Sequence, residues 1–528
     1  MKNRLLKFTE FDKFYVHYSP LTPYGVKSKN RCQFFYDIKS LEKHFDIIDA
    51  VVSFSADKTQ KIDKIEYRLK RIPELPSLEN PPLESTELFL VKKFLINFKA
   101  VVEILGDEGN KIFRSEFESD NLLNLFLKGG SEEAFHISDI YSEKLKFVRS
   151  NIENILSELR ELKQARVDEI KKRFGYDFTE KDFLILKNSD IKPCKDLFYI
   201  EAFDSCHVVV KPVMTDEYYK LFNKKESFVN AEKKLEQDVL SDLSAQVFKE
   251  KFNIERYINY IEKIDTYIAN LRTVFKFNMA RPILGGLTQK ISVIKGRNIV
   301  EEKRCVELKT DYQPLTAAFD KRVSVIHGSN MGGKTVLLKT LGLFQTLVQA
   351  GFYVPADSFT TQLFNNVFYI GDHDIEKIKG LSGFGMEIKN FMEAKKEDKG
   401  LSLYLMDEFA KTTDSDEAAA LINAVIKDFS DNGKTHAFIS THFKGLEKFE
   451  NTNFYRMKGL DLDEYEKHYK KKHSYTSCER IRLINRFMKY EVVPDDYSCH
   501  FSDALKIAEM LGFDSATVKN AVKYLKEN

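Results

Sequence analysis

Val323-Ser324-Val325-Ile326, Gly328-Ser329-Asn330-Met331-Gly332-Gly333-Lys334-Thr335 and Val336-Leu337-Leu338-Lys339-Thr340-Leu341 stand almost end to end in this chain. The first run alternates as a short buried strand does, and the last has the apolar spacing of a helix. A glycine loop closed by a lysine and a hydroxyl joins them. In that frame the glycines let backbone N–H groups converge on a phosphate chain at a helix N-terminus. Lys334 is placed to reach β- and γ-phosphate oxygens, and the Thr335 hydroxyl to ligate Mg²⁺. All eight residues from Gly328 to Thr335 are therefore expected to bind ATP. A glycine-rich turn without a ligand would not need the flanking strand and helix.

Leu401-Ser402-Leu403-Tyr404-Leu405-Met406 predicts a second strand, and Asp407-Glu408 leave its C-terminal end, the edge at which parallel sheets bind ligands. Asp407 is expected to hold Mg²⁺. Glu408, one residue further on, is suited to orient and deprotonate the attacking water. Asp414 and Glu417 have capping-box spacing before the apolar run from Ala418 to Phe429, which predicts a helix start. His436-Ala437-Phe438-Ile439-Ser440 predicts a third strand that delivers Thr441-His442 to the same edge, where His442 can contact the γ-phosphate or its water. A histidine taken alone is more often an ordinary core or surface residue. Its place after a strand downstream of the two carboxylates distinguishes His442.

The 528-residue chain is too long for one core. Lys plus Arg number 82 against 80 Asp plus Glu, a net charge of +2, so no global charge signature points to nucleic acid. Six cysteines, Cys32, Cys194, Cys206, Cys305, Cys478 and Cys499, lack CxxC spacing, and the start Met1-Lys2-Asn3-Arg4 leads into charged residues. Reduced thiols and a cytoplasmic location are expected. No apolar run approaches the ~20 residues of a membrane helix, so no membrane partner is expected. His468, His473, Cys478, Cys499 and His500 match no compact zinc spacing, and no structural metal is expected. The basic stretch of Lys470, Lys471, Lys472, Arg480, Arg482 and Arg486 follows Asp461, Asp463, Glu464 and Glu466 and is read as a solvated connector.

Prolines at 73, 76, 81 and 82 close an N-terminal region, residues 1–85, to which no role is assigned. Its Phe34-Phe35-Tyr36-Asp37 is read as a buried aromatic stretch before a helix. A helical core or lever domain is expected over 86–275, opening with Glu87 to Leu95. One long helix carries Leu145, Val148, Ile152, Ile155, Leu159 and Leu162. A second, from about 225 to 275, carries Tyr257, Ile261, Ile264, Ile268 and Leu271. The two are expected to pack antiparallel, with a short insert near 177–218 whose Phe183-Leu184-Ile185-Leu186 and His207-Val208-Val209-Val210 read as strands. A P-loop ATPase domain over 276–450 and a C-terminal connector and helical element over 451–528 complete the expected organisation: a multidomain α and α/β protein.

The glycine loop, Lys339-Thr340-Leu341-Gly342-Leu343, Gln349-Ala350-Gly351-Phe352-Tyr353-Val354-Pro355-Ala356, Asp407-Glu408 and Thr441-His442 together resemble the ATPase domain of MutS-related proteins, most clearly over 281–445. The resemblance implies an ABC-type ATPase fold with a helical lever, and a homodimer whose subunits complete each other's sites. By the same resemblance Ser382, Phe384 and Glu387 match a Ser-x-Phe-x-x-Glu element at the nucleotide, with Gly371-Asp372 upstream. Thr412-Thr413 matches the segment that reaches across to the partner's nucleotide, so Glu387 and Thr413 join the expected binding residues. Phe501 to Phe513 is similar to the family's terminal dimer-stabilising helix pair.

Departures from the family pattern bear on the load. Ala410-Lys411-Thr412-Thr413 stands where mismatch-repair members have glycine-arginine-glycine-threonine, and Ala418 replaces a glycine. The insert is smaller than a DNA-encircling clamp, and neither a separate mismatch-reading domain nor a nuclease-like domain is expected. The Thr412-Thr413 turn, Glu87-Leu88-Phe89 and Asp496-Tyr497-Ser498 are similar to a reduced branch that accompanies adenosylcobalamin-dependent lysine aminomutase. The favoured expectation is thus an ATPase acting on a protein partner, an aminomutase. The alternative is a DNA-binding MutS homologue that recognises mismatched or branched double-stranded DNA.

Overall fold

The computed structural model describes residues 2–56, 58–79, 82–128, 135–192, 194–285, 290–328, 332–371, 383–469, 484, 486–495 and 503–527. Ser329, Asn330, Met331, Asp372, Ser382, the Asp496-Tyr497-Ser498 segment and most of the histidines, cysteines and basic residues between 470 and 500 lie outside the described residues. The chain forms two compact units, one of residues 1–21, 25–62 and 262–528, the other of 22–24 and 63–261.

A six-stranded sheet organises the first unit. Its order is Met488–Pro494, Thr452–Leu460, Val323–His327, Thr435–Thr441, Ser402–Asp407 and Asn366–Ile370. All neighbours run parallel except the pair formed by Met488–Pro494 and Thr452–Leu460. Strands buried on both faces carry continuous apolar runs, which is why Leu403 to Met406 and Ala437 to Ile439 read as they do. Along Val323–His327, Ile326 faces the cluster built on the helix Lys334–Gln349, and Val325 faces the cluster built on Ser415–Asp431. A second, four-stranded sheet is ordered Ile283–Leu284, Ser358–Thr361, Ile291–Gly296, Leu315–Phe319.

Helices from residues 2–21 and 25–55 pack into this core. Phe8 of the helix Lys2–Phe8 stacks on Tyr369 with ring centroids 3.7 Å apart. Phe14 and Phe45 are fully buried in the cluster that contains Leu338 and Phe344. Gly342 is required where the helices meet, since a Cβ there would lie 2.7 Å from Leu405 Cδ1 and 2.9 Å from Thr9 Cγ2. His44, on Ile38–Ser55, bonds through its ring nitrogens to the Tyr267 hydroxyl (2.8 Å) and the Gly351 carbonyl (2.9 Å). The Phe34–Tyr36 stretch is not buried as expected. Phe34 and Phe35 are half-buried and Tyr36 is exposed, because an extended segment tied by Phe35 N–H to the Gln349 carbonyl (2.6 Å) runs along the edge of the core, with the Phe35 ring 4.9 Å from that of His44.

In the second unit, Glu143–Phe174 pairs with Asp216–Lys249. Arg149 donates to Glu232 (2.8 Å) and Glu236 (2.6 Å), whereas Arg166 further along donates to the Val213 carbonyl (2.7 Å), so the pair is antiparallel. The expected single helix over 225–275 is two helices. Asp216–Lys249 ends at Glu250 and Lys251–Phe277 begins there. The Glu250 carboxylate is drawn to Ser119 (2.8 Å) and Asn253 (2.7 Å), and the stripe from Tyr257 to Leu271 belongs to the second helix, not to the partner of Glu143–Phe174. Between the long helices lies an antiparallel three-stranded sheet, ordered Leu184–Lys187, His207–Pro212, Phe198–Ala202. Phe198, Val208 and Val210 bury one face against Val167, Ile170 and Phe178. Phe198–Ala202 was not expected, because its Glu201 and Ala202 break the apolar alternation. Among the described residues no helix is long and apolar enough to cross a membrane.

Candidate nucleotide site

Parallel register brings the expected residues to one sheet edge. Asp407 pairs with Ser440, and Thr441 with His327, the last strand residue before the glycine loop. Two of the loop's glycines are needed for their backbone. Gly333 has φ +89° at the start of the helix Lys334–Gln349, and a Cβ there would lie 2.8 Å from the Tyr490 ring. Gly328 has φ +150° and packs against Met457. Strands Thr452–Leu460 and Met488–Pro494, neither foreseen from sequence, therefore wall the loop.

Thr335 Oγ1 donates to the Asp407 carboxylate, 2.9 Å from Oδ2 and 3.1 Å from Oδ1. Ser440 Oγ donates to Asp407 Oδ1 at 2.7 Å and accepts the Glu408 N–H at 3.1 Å. Three hard oxygen donors thus converge at the strand ends. Ser440 was missed as a site residue. Its only sequence signal is that it stands opposite Asp407 once the two strands are paired.

Lys334 is 3% exposed, with Nζ donating to the Gly328 carbonyl at 2.6 Å and lying 3.7 Å from Glu408 Oε1. Burial pushes its pKa below the usual lysine range, while the Glu408 and Asp407 carboxylates pull the other way. His327 is pushed down to about 4, first by burial and then by the Lys334 charge. Glu408 is the convergence point of three basic side chains: Lys334, Lys411 (3.7 Å from Oε2) and His442 (Nδ1 3.9 Å from Oε1). It leaves its strand with φ +51°, and Ala410 follows with φ +65°. Left-handed conformations cost about 1–3 kcal/mol for each non-glycine residue and persist only where surroundings impose them.

Residues 324–527 match the family model described as MutS domain V. Over that stretch the chain is similar to MutS domain V. It is 25% identical to an Endonuclease MutS2 of Thermotoga maritima over 83% of this chain and 55% of that protein. It is 27% identical to an Endonuclease MutS2 of Caldicellulosiruptor bescii over 74% and 47%, and 28% identical to a DNA mismatch repair protein MutS of Lactobacillus acidophilus over 54% and 32%. The MutS-like chain spans about half the length, or less, of these curated relatives. Two of these names describe an endonuclease and one a DNA mismatch repair protein, and none names an aminomutase.

Glu387 and Thr413, expected from the Ser-x-Phe-x-x-Glu and threonine segments, lie at the turn after Glu408 and at its end. Glu387, 3% exposed, accepts the Ala410 N–H at 2.7 Å. Thr413 Oγ1 donates to Glu417 Oε2 at 3.2 Å. That contact displaces the expected capping box: Asp414 caps the helix Ser415–Asp431 by accepting the Asp416 N–H, while the Glu417 carboxylate is engaged by Thr413.

Proposed function

We propose that this chain hydrolyses ATP with Mg²⁺ at a site completed by a second copy of itself, and couples turnover to engagement of double-stranded DNA carrying mismatches or branches. The observation that carries the ATPase half is the meeting of Thr335, Ser440 and Asp407 oxygens beside the buried Lys334–Glu408 pair. This donor set fits Mg²⁺, which favours hard oxygen ligands and one or two carboxylates, with Thr335 and Asp407 as the protein ligands. When bound, the ion would neutralise charge on the phosphate oxygens. Lys334, desolvated and with Nζ on the Gly328 loop carbonyl, is suited to exchange that carbonyl for β- and γ-phosphate oxygens. Gly328, Ser329, Asn330, Met331, Gly332 and Gly333 would supply backbone N–H groups to the same chain of phosphates.

Glu408 is the base: it orients the attacking water and takes its proton. His442, 3.9 Å from that carboxylate, would hold the γ-phosphate or the water from the other side. Thr413, half-buried in the turn before the helix Ser415–Asp431, is the residue we assign to the partner's nucleotide. The DNA half rests on the MutS and MutS2 relatives.

The test is ATP turnover in Mg²⁺ with and without mismatched or branched duplex. Turnover that duplex stimulates, with binding that weakens steeply as salt rises, is expected. Absence of Mg²⁺-dependent turnover overturns the ATPase reading. Stimulation by an aminomutase and none by duplex overturns the DNA half alone.

A further inference from the structure

Three residues on one face of the helix Gly383–Glu397 follow the turn that carries the base. Gly383 lies beside Thr412, where a Cβ would come 3.5 Å from Thr412 Cγ2. Glu387, four residues on, accepts the Ala410 N–H at 2.7 Å. Phe391, four further, packs its ring 5.6 Å from that of Phe409, which is buried. Positions i, i+4 and i+8 share a helix face, so one straight element braces the 409–412 turn along its length.

Of these three contacts only that of Glu387 is polar, and it falls where the backbone is most strained. Glu408 and Ala410 are both left-handed, at φ +51° and +65°, although neither is glycine. A carboxylate only 3% exposed needs hydrogen bonds to offset its burial, and the amide it accepts belongs to one of the two strained residues. On the other side of the turn, Ser440 accepts the Glu408 N–H at 3.1 Å. The two amides that flank Phe409 are thus each held by an oxygen from a different element.

We propose that Glu387 is a positioning residue: by accepting the Ala410 N–H it holds the left-handed Glu408–Ala410 turn and so aims the Glu408 carboxylate at Lys334 and His442. This rests on Glu408 serving as the base of the proposed ATPase, and it assigns Glu387 to the geometry of hydrolysis instead of to nucleotide binding. An amide oxygen can accept the same N–H, so the charge itself is dispensable. The buried acceptor is not.

The experiment compares Glu387→Gln, Glu387→Ala and Glu387→Met in the full chain by steady-state ATP turnover. Glu387→Met keeps the length of the side chain and removes the acceptor, so the comparison stands if Glu387→Ala does not fold. The expected result is a kcat about a hundredfold lower in the two variants without an acceptor, with KM for ATP within about threefold of wild type, because misaimed groups lose rate and not affinity. Glu387→Gln is expected to keep kcat within about threefold. A raised KM with unchanged kcat would assign Glu387 to the nucleotide and overturn the inference. So would a Glu387→Gln variant as slow as Glu387→Met, or acceptor-free variants as fast as wild type. An inactive wild-type chain overturns the proposed ATPase and this inference with it, whereas an active wild type with any of the other outcomes overturns the inference alone.

Discussion

At the scale of single residues, the site is a set of contacts that substitutions can dissect. Glu408→Gln keeps the shape of the base and removes its proton affinity. A kcat lower by a factor of about 10²–10⁴ is expected, with ATP still bound, which stopped-flow nucleotide binding beside steady-state turnover would check. A variant that turns over at the wild-type rate removes Glu408 from the mechanism. Thr335→Ala takes one hydroxyl from the Asp407 cluster, so the Mg²⁺ concentration for half-maximal activity should rise, and chelation should abolish turnover in both proteins. His44 and His327 are both pushed down to about 4, chiefly by burial. A folded-state pKa below the unfolded value near 6.5 means that the unfolded chain binds the extra protons. The contribution to stability is therefore complete above about pH 6.5 and is lost as pH falls from there towards about 4. Denaturant midpoints measured across that window should decline, and His44→Gln should flatten part of the slope.

At the scale of elements, the helix Lys2–Phe8 is part of the core that packs on the six-stranded sheet. Phe8 is 1% exposed and stacked on Tyr369 of the edge strand Asn366–Ile370. Phe8→Ala should lower stability by about 3–5 kcal/mol, seen as a shifted urea midpoint with unchanged slope. An unaffected midpoint would show that this helix does not hold the sheet. Elements also differ in how far their residues announced them. The strands Val323–His327, Ser402–Asp407 and Thr435–Thr441 were legible because burial on both faces demands short unbroken apolar runs. Phe198–Ala202 was not, because only Phe198 is deeply buried there, Ile200 is half-buried, and Tyr199, Glu201 and Ala202 are exposed. The break at Glu250 escaped notice because a glutamate favours helix, and only Ser119 and Asn253, on the folded chain, draw its carboxylate aside.

At the scale of the whole molecule, the proposed reading requires a second copy and a duplex. With ATP and the slow Glu408→Gln variant, sedimentation velocity should show a dimer that falls back to smaller species without nucleotide. A chain that stays monomeric under these conditions would leave Thr413 without its assigned partner site. The net charge of only +2 places no uniform positive field around the molecule, so duplex affinity must come from local contacts. The sequence by itself determined the chemistry that is contiguous along the chain. A phosphate loop between a strand and a helix, and a carboxylate pair at a strand end, work through neighbouring backbone and can be read from neighbouring residues. Only the tertiary structure decided what depends on contacts between distant segments. Ser440 on Asp407, the Tyr490 ring against Gly333, Glu387 under Ala410 and Phe8 on Tyr369 are each joined by burial and register across the fold, and residue type and spacing carry no trace of such pairings.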